Sequence, residues 1–494
     1  MAGKVRKNRF GAKICDPRVE IHPSQLRRVH PSWEDIRASK RPSIDRFGEA
    51  YRIFVNNSRT STDVVDNIRK LSSSKRFSET PHYFVESKEG AAFALIRPPT
   101  NNSSGVESIL ENGVKVVYTH GDACCLRAKV RPLLFEWDID LRELHTGVEL
   151  DTFEYGGLLK HEWAGRGDLE ARGRIWLMDK LCRERVRKFS FPVYSAETAQ
   201  HTDVRLEKGV DFEDAHRVEN LNLDTGFRTV REFLQEFGLR EEADFARTEL
   251  YIVPTIVPKL IGPKNGPKFM SAYGHDDRTC LYSAVRALLD ADKLESHCMV
   301  FGFDKEEVGS MGPGGAGSKF FENVLIDYLV QTGAVSSRRE VSEGLLLDIY
   351  GKSLAIDGDV DVASTSRELE DGDAVRNIDK KNIAKLGYGP FINGTTDICD
   401  GDCVSPRLVG RVMSCLAEAN LVMQPIGFPT LADKSDDVRT MNNFMQNRGI
   451  PTINVGVPVA SLHSISELIS VSDLYGAYRA YRAILEDGKY FRSL

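Results

Sequence analysis

Two adjacent glutamates near the middle of the chain have the residue type and the setting for catalysis. Glu306-Glu307 follow the apolar run Cys298-Met299-Val300-Phe301 and lead into Val308-Gly309-Ser310. Open α/β sheets bind ligands in the crevice beyond the carboxyl ends of their strands, which makes this junction a candidate site. Adjacent side chains point in different directions, so one glutamate can bind a metal ion while the other moves a proton. A solvated charge pair is the alternative for these two residues alone.

Other side chains with metal-binding chemistry follow apolar runs or open a helix, and in chain order they are His120, Asp276, Asp357 and His463. Imidazole nitrogens and carboxylate oxygens bind zinc, and Asp122 is placed to orient His120. Apolar runs that end at one edge of a sheet would bring the set together. Two divalent metals need such a set, with a shared carboxylate and a further one for the water. A hydrogen-bonded structural histidine and helix-capping aspartates are the alternatives.

The acidic segment that begins at Asp357 has a competing interpretation as a calcium site. Asp357, Asp359, Asp361 and Glu368 match positions 1, 3, 5 and 12 of an EF-hand loop. Val362, however, stands where that loop needs glycine for a sharp turn. The apolar run before Asp357 instead favours another acid at a strand end.

The glycine-rich run at 309–319 nearly matches a phosphate-binding loop. It ends in Gly317-Ser318-Lys319, whereas that loop ends in Gly-Lys followed by Ser or Thr. It also starts beyond an acidic pair, which would repel phosphate. We interpret its glycines as positions where the backbone packs closely beside the site.

Length and composition restrict the class of protein. A chain of 494 residues exceeds one ordinary core, which predicts two domains or one with a large insertion. The net charge of -6 is not the basic charge expected of a nucleic-acid-binding protein. No apolar segment reaches the length of a membrane span. The basic N-terminal residues lack the apolar region of a secretory signal. Nine irregularly spaced cysteines argue against a disulfide framework and predict a reducing cytoplasmic location.

A change in texture divides the chain. Helical and strand-like runs alternate up to about residue 128, and dense charges with short β-like runs follow until about 262. We therefore predict residues 1–128 as the first part of a catalytic domain, 129–262 as an inserted β-rich domain and 263–494 as the second part. The predicted fold is α/β, with a mixed sheet flanked by helices.

The order of the candidate residues resembles the aspartyl aminopeptidase family, which includes the vacuolar aminopeptidases. The matching positions are His120-Gly121-Asp122, Asp276, Glu306-Glu307-Val308-Gly309-Ser310, Asp357 and Leu462-His463-Ser464. Residues 155–175 look like the family's glycine- and tryptophan-bearing motif. The resemblance covers most of the chain and is looser between about 176 and 250. It implies a zinc-exopeptidase fold with an inserted dimerisation domain.

The resemblance also implies two zinc ions per subunit. One would bind His120, Asp276 and Asp357, and the other Asp276, Glu307 and His463, with Asp276 as the bridge. Cobalt or manganese would fit the same nitrogen and oxygen ligands. Two-metal sites with about 3.5–4 Å between the ions are established for aminopeptidases as a class.

Further roles follow from the same resemblance. Glu306 would be the general base and Asp122 would orient His120, while Lys385 and Tyr388 look similar to the family's substrate-binding lysine and tyrosine. The chain departs from the family where it has Ala123-Cys124 in place of Ser-Pro. Where the family has a histidine in the inserted domain, this chain has Glu197, and His201 follows four residues later as the other candidate.

The expected function is a metal-dependent aminopeptidase that removes N-terminal residues from peptides, with acidic residues preferred. The resemblance implies a homododecamer built from dimers, with neither nucleic acid nor membrane as a partner. One alternative is a non-catalytic oligomeric shell or binding protein of the same fold. Another is a zinc amidohydrolase acting on small acylated metabolites. The complete set of metal-binding residues with Glu306 favours the enzyme over the shell.

Overall fold

The structure is a computed structural model of the whole chain. It describes residues 40–100, 107–134, 149–159, 162–163, 166–178, 181–196, 222–224, 230–236, 238–239, 242–364, 383–393, 404–427 and 441–491. Within this part of the chain the architecture is mixed α/β, as predicted, with two open sheets, a closed barrel and packed helices.

The strands are numbered in chain order: β1 (Tyr83–Glu86), β2 (Phe93–Arg97), β3 (Val114–His120), β4 (Cys125–Leu134), β5 (Glu149–Tyr155), β6 (Arg166–Met178), β7 (Glu184–Ala196), β8 (Asn222–Asp224), β9 (Thr248–Pro254), β10 (Lys259–Ile261), β11 (Phe269–Ala272), β12 (His297–Phe303), β13 (Leu354–Asp357), β14 (Asp361–Ser364), β15 (Ala384–Lys385), β16 (Phe391–Asn393), β17 (Gln424–Ile426), β18 (Thr452–Gly456), β19 (Pro458–Ala460) and β20 (Glu467–Ser470). The main sheet has the order β1-β2-β12-β3-β13-β18-β16-β17, and the second sheet β10-β11-β20-β19-β14-β15. The barrel closes in the order β4-β5-β8-β7-β6-β9.

The helices are α1 (Arg41–Asn57), α2 (Ser61–Ser72), α3 (Glu107–Asn112), α4 (Val230–Glu236), α5 (His275–Leu289), α6 (Phe320–Gln331), α7 (Glu343–Gly351), α8 (Pro406–Glu418), α9 (Met441–Gln446) and α10 (Val471–Glu486). Short 3-10 helices cover Glu242–Arg247, Glu306–Val308 and Arg338–Glu340. Helix α2 begins with a capping box, in which Thr60 and Asp63 exchange side chain–backbone hydrogen bonds. Every residue of α5 up to Leu289 is buried, so this helix lies inside the core.

The centre of the main sheet is parallel and buried. Strand β3 pairs in parallel with β12 on one side and with β13 on the other. All residues of β3, β12 and β13 are buried, as expected for parallel strands that are covered on both faces. In the register of these pairs, His120 lies opposite Phe303 and Tyr118 lies opposite Asp357. The carboxyl ends of the three strands therefore meet at one edge of the sheet.

The β-rich unit that the sequence predicts between 129 and 262 corresponds in place to the barrel, whose strands run from Cys125 to Pro254. Its longest hairpin is β6–β7, and Trp163 is fully buried in its core. The exact domain boundaries and the role of the barrel in dimerisation stay predictions. Among the described helices, none is both long and apolar enough to span a membrane. The described cysteines are all free thiols: Cys124, Cys125, Cys182, Cys280, Cys298 and Cys415.

The two motifs with competing interpretations take other forms. Asp361 begins β14 and pairs with Pro458 of β19, so a strand stands where an EF-hand would continue its loop. Glu368 lies outside the described residues. In the glycine-rich run, a Cβ atom at Gly315 would come within 2.1 Å of the Ser310 carbonyl oxygen. At Gly315 that close backbone approach is the role that we predicted, whereas nothing lies within 4 Å of a Cβ atom at Gly309.

Gly302 is a position where the central sheet requires a glycine. It pairs with Phe93 across β12 and β2, and a Cβ atom at Gly302 would come within 2.3 Å of the Phe93 ring. We expect Gly302→Ala to lower the free energy of unfolding by about 1–3 kcal/mol, because overpacking shifts side chains and backbone. The midpoint of urea unfolding measures this change.

Gly410→Ala is the matched control, since nothing lies within 4 Å of a Cβ atom at this position in α8. Alanine there should leave stability unchanged or raise it by up to about 1 kcal/mol through helix propensity. Equal urea midpoints for the two variants would show that the Phe93 ring can move aside without lowering the free energy of unfolding.

Candidate active site

The centre of the site is the carboxylate of Asp276, at the start of α5. One of its oxygens, Oδ1, lies 3.1 Å from Nε2 of His120, and the other, Oδ2, lies 3.2 Å from Nε2 of His463. His120 is the last residue of β3, and His463 lies between β19 and β20. One carboxylate thus faces two histidines that come from different parts of the chain, which is the geometry required of a bridging ligand between two metal ions.

The two adjacent glutamates have different environments. Both lie in the short 3-10 helix after β12, but Glu307 is 4% exposed whereas Glu306 is 18% exposed. Oε2 of Glu307 lies 3.6 Å from Nε2 of His463, and Oε2 of Glu306 lies 3.9 Å from Nε2 of His120. The more enclosed glutamate is suited to hold a cation, and the more open one to meet water or substrate.

Asp122 holds the parts of the site together. Its Oδ1 lies 3.3 Å from Nδ1 of His120, on the side of the ring away from Asp276. The same carboxylate accepts hydrogen bonds from the backbone N–H groups of Glu306 and Glu307, each at 3.2 Å. It also accepts the hydroxyl of Tyr155 from the barrel, at 3.0 Å. A single buried carboxylate therefore orients the histidine and fixes the turn that carries both glutamates.

His463 is held by its backbone and by its second ring nitrogen. Its φ of 62° lies in the left-handed region, which is uncommon for a residue with a side chain and is often found at functional sites. Its N–H donates to Glu467 at 2.9 Å, and Nδ1 lies 3.3 Å from the carbonyl oxygen of Gly157. Because a carbonyl only accepts, Nδ1 carries the proton and Nε2 is left to face Asp276 and Glu307.

Glu467 holds the backbone of both Asp276 and His463. Its Oε2 accepts the backbone N–H of Asp276 at 3.1 Å, while Oε1 accepts that of His463. Burial raises the pKa of Glu467 to about 8, and the neighbouring Asp276 charge adds to the rise. The sequence-based interpretation missed this residue, because its contact with Asp276 joins positions 191 residues apart in the chain.

Asp359, rather than Asp357, is the aspartate that the structure brings to His120. Its Oδ1 lies 3.5 Å from Nε2 of His120, and the two residues form a potential metal-binding group with Asp277. The register explains this correction: Asp357 lies opposite Tyr118, so the chain must advance two residues to reach the level of His120. The prediction chose the first acid after the apolar run, without knowing how β13 aligns with β3.

The electrostatics of the cluster are those of crowded carboxylates. Burial raises the pKa of Glu307 to about 7 with a further contribution from Asp276, and burial also raises the pKa values of Glu306 and Asp359. For His463, burial lowers the pKa, but the hydrogen bond to Asp276 and the charge of Glu307 outweigh it and raise the pKa to about 10. Positive charge at this point would stabilise the ionised carboxylates.

This donor set fits zinc. Imidazole nitrogens and carboxylate oxygens are the ligands that zinc takes in catalytic sites. The donors form one group around His120 and another around His463, with Asp276 between them. Two divalent cations would offset the mutual repulsion of the carboxylates and let both histidines act as neutral ligands.

The substrate-binding candidates lie on a separate loop. Lys385 ends β15, and its Nζ is 5.8 Å from the ring centroid of Tyr388. Asp473 of α10 anchors the loop by accepting the N–H groups of Gly387 and Gly389 at 2.6 and 2.8 Å. Their roles stay predictions. Residues 197 and 201, the candidates for the inserted-domain histidine, lie outside the described part of the chain.

Comparison with known proteins identifies the family of the chain. The family model described as aminopeptidase I zinc metalloprotease (M18) matches residues 54–485. A probable M18 family aminopeptidase 1 from Thermotoga neapolitana is 28% identical over 469 residues, covering 90% of this chain and 97% of the relative. Its counterpart from Borrelia garinii subsp. bavariensis is 25% identical over 487 residues, covering 92% and 99%.

Solved structures share the fold. The crystal structure of an M18 family aminopeptidase from Thermotoga maritima matches with a TM-score of 0.73 and 25% identity, covering 90% of this chain and 97% of that one. The mApe1 dodecamer of S. cerevisiae matches with a TM-score of 0.65 and 16% identity, covering 90% and 97%. Since the family model extends over most of its length, the chain belongs to the aminopeptidase I zinc metalloprotease family, M18.

Proposed function

We propose that this aminopeptidase removes the N-terminal residue of peptides with two zinc ions and a glutamate general base. The observation that carries the proposal is the carboxylate of Asp276, which directs one oxygen to His120 and the other to His463. Beside it, the more exposed Glu306 leaves a carboxylate free for proton transfer. Zinc, when bound, polarises the scissile carbonyl group and lowers the pKa of water.

The ligand assignment follows the two groups of donors. His120 and Asp359 would bind one zinc, Glu307 and His463 the other, and Asp276 both. Asp122 orients His120 and fixes the backbone of Glu306 and Glu307. Glu306 accepts a proton from the attacking water and returns it to the nitrogen of the leaving amine, so that acid and base are the same group at successive steps.

The finer expectations extend this proposal. A preference for acidic N-terminal residues requires a cation near the substrate side chain, and Lys385 is the candidate. Because the S. cerevisiae relative forms a dodecamer, we propose a homododecamer here too, with the barrel at dimer contacts. The free thiols among the described cysteines are consistent with a reducing cytoplasmic location, which is part of the proposal.

The choice of Asp359 over Asp357 predicts a difference in metal content. Residues that only support a metal ligand typically change metal affinity by about 10–100-fold when mutated. Asp359→Asn should weaken zinc binding by more than this, because a charged donor is lost. Asp357→Asn, the matched control two residues earlier at the end of β13, should keep the zinc content of the unmodified protein. Elemental analysis after dialysis against a zinc buffer measures both. Loss of zinc from the Asp357 variant alone would reverse the assignment.

The two adjacent glutamates should fail in different ways. Glu306→Gln keeps the size of the side chain and leaves the ligands in place, so kcat should fall by about 10²–10⁴-fold with zinc retained. Glu307→Gln removes a charged donor and should lower zinc content and activity together. Metal analysis beside kcat on an aminoacyl-anilide distinguishes them. A Glu306 variant without zinc and a zinc-replete, slow Glu307 variant would show that the roles are exchanged.

The acidic preference predicts a selective effect at Lys385. Lys385→Ala should lower kcat/KM for Asp- and Glu-anilides by about 10- to 100-fold, the loss of one charged hydrogen bond, and change Leu-anilide far less. Lys319→Ala, at a side chain that is 83% exposed, is the control for loss of a positive charge. Equal losses on acidic and apolar anilides would show that Lys385 does not contact the substrate side chain.

A further inference from the structure

The thiol of Cys124 lies against the donors on the His463 side of the site. Its Sγ is 3.0 Å from Oε2 of Glu307, and one donor atom from each of Cys124, Glu307 and His463 lies within 4.8 Å of the other two. Cys124 is 4% exposed. It follows Ala123 and lies two residues after Asp122, which orients His120. The mechanism proposed above makes no use of this side chain.

The fold fixes the thiol at this place. The N–H of Cys124 donates to Oε1 of Glu307 at 3.1 Å, and its carbonyl oxygen accepts the hydroxyl of Tyr273 at 3.0 Å. Gly156, with a φ of 78°, passes over the sulfur so closely that a Cβ atom there would lie 2.5 Å from Sγ. A glycine in the left-handed region thus leaves room for the sulfur beside Glu307.

The two sides of the site therefore differ in donor chemistry. On one side, the potential metal-binding group is His120, Asp277 and Asp359, with nitrogen and oxygen donors. On the other, Cys124 adds sulfur to the oxygen of Glu307 and the nitrogen of His463. Thiolate ligands favour zinc and softer cations, whereas a carboxylate- and imidazole-based set accepts cobalt and manganese readily.

We propose that Cys124 is a ligand of the metal ion on the His463 side, together with Glu307 and His463. The inference rests on the two-metal function proposed above and adds a sulfur donor to it. Binding converts the thiol to a thiolate, forms a metal–sulfur bond and releases the thiol proton to water. The His463-side position then selects zinc and thiophilic cations such as Cd²⁺, while the His120-side position does not discriminate in this way.

A hydrogen-bonding role is the competing explanation, because the thiol donates to Glu307 in the structure. A serine at position 124 would also donate to Glu307, but a hydroxyl does not bind soft cations as a thiolate does. Cys124→Ser therefore separates the two roles. Cys125→Ala is the matched control, because Cys125 is equally buried, lies next along the chain and belongs to the apolar core of the barrel.

The experiment is optical spectroscopy of the full-length protein loaded with Co²⁺. We expect the unmodified protein and Cys125→Ala to show the intense near-ultraviolet sulfur-to-cobalt charge-transfer band, and Cys124→Ser to lack it. In competition with Zn²⁺, Cys124→Ser should lose at least about 10-fold in relative affinity for Cd²⁺. A band that persists in Cys124→Ser, or that is missing from the cobalt-loaded unmodified protein, would overturn the proposal.

X-ray absorption of the unmodified zinc protein keeps the test independent of the variant's folding. It should show a sulfur neighbour at about 2.3 Å, the usual zinc–thiolate distance, in addition to nitrogen and oxygen. A zinc shell of nitrogen and oxygen alone refutes the inference. If the protein hydrolyses aminoacyl-anilides but its zinc has no sulfur ligand, the inference about Cys124 is wrong and the proposed function stands. If the zinc has a sulfur ligand but the protein has no peptidase activity, the proposed function is wrong and the inference about Cys124 as a ligand stands.

Discussion

The rest of the structure depends on the burial of several carboxylates around one point. Asp276 is 8% exposed, and its two oxygens meet two histidines. Ionised carboxylates repel one another in a site with little water, and removing them from water has its own cost. The raised pKa values of Glu306, Glu307, Asp359 and Glu467 express that cost. Such an arrangement persists when the surrounding backbone holds each group in place and positive charge offsets the repulsion.

The backbone supplies much of this support through a few shared acceptors. Asp122 receives the N–H groups of both glutamates, and Glu467 receives those of Asp276 and His463. Each of these carboxylates therefore connects two segments that are far apart in the chain. These hydrogen bonds come from backbone N–H groups. They therefore hold the backbone of the site residues in place and leave the side chains free to bind metal or substrate.

The barrel contributes to the site as well as to the architecture. Tyr155, at the end of β5, bonds to Asp122, and the next two glycines pass over Cys124 and contact His463. Glu162 also accepts the N–H of Ile465, two residues beyond His463. The β-rich unit and the main sheet thus meet at the candidate active site.

The sequence by itself determined the residue types and the ends of the central strands. Apolar runs gave the buried parallel strands and placed His120 and the Glu306-Glu307 pair at their carboxyl ends, because period and composition are local properties of the chain. Tertiary structure alone decided the register of β13 against β3, which brings Asp359 and not Asp357 to His120. It also decided that Glu467, Tyr155 and Cys124 belong to the site. Those contacts join segments separated by tens to hundreds of residues, and strand register and packing across such separations leave no periodic signal in the sequence.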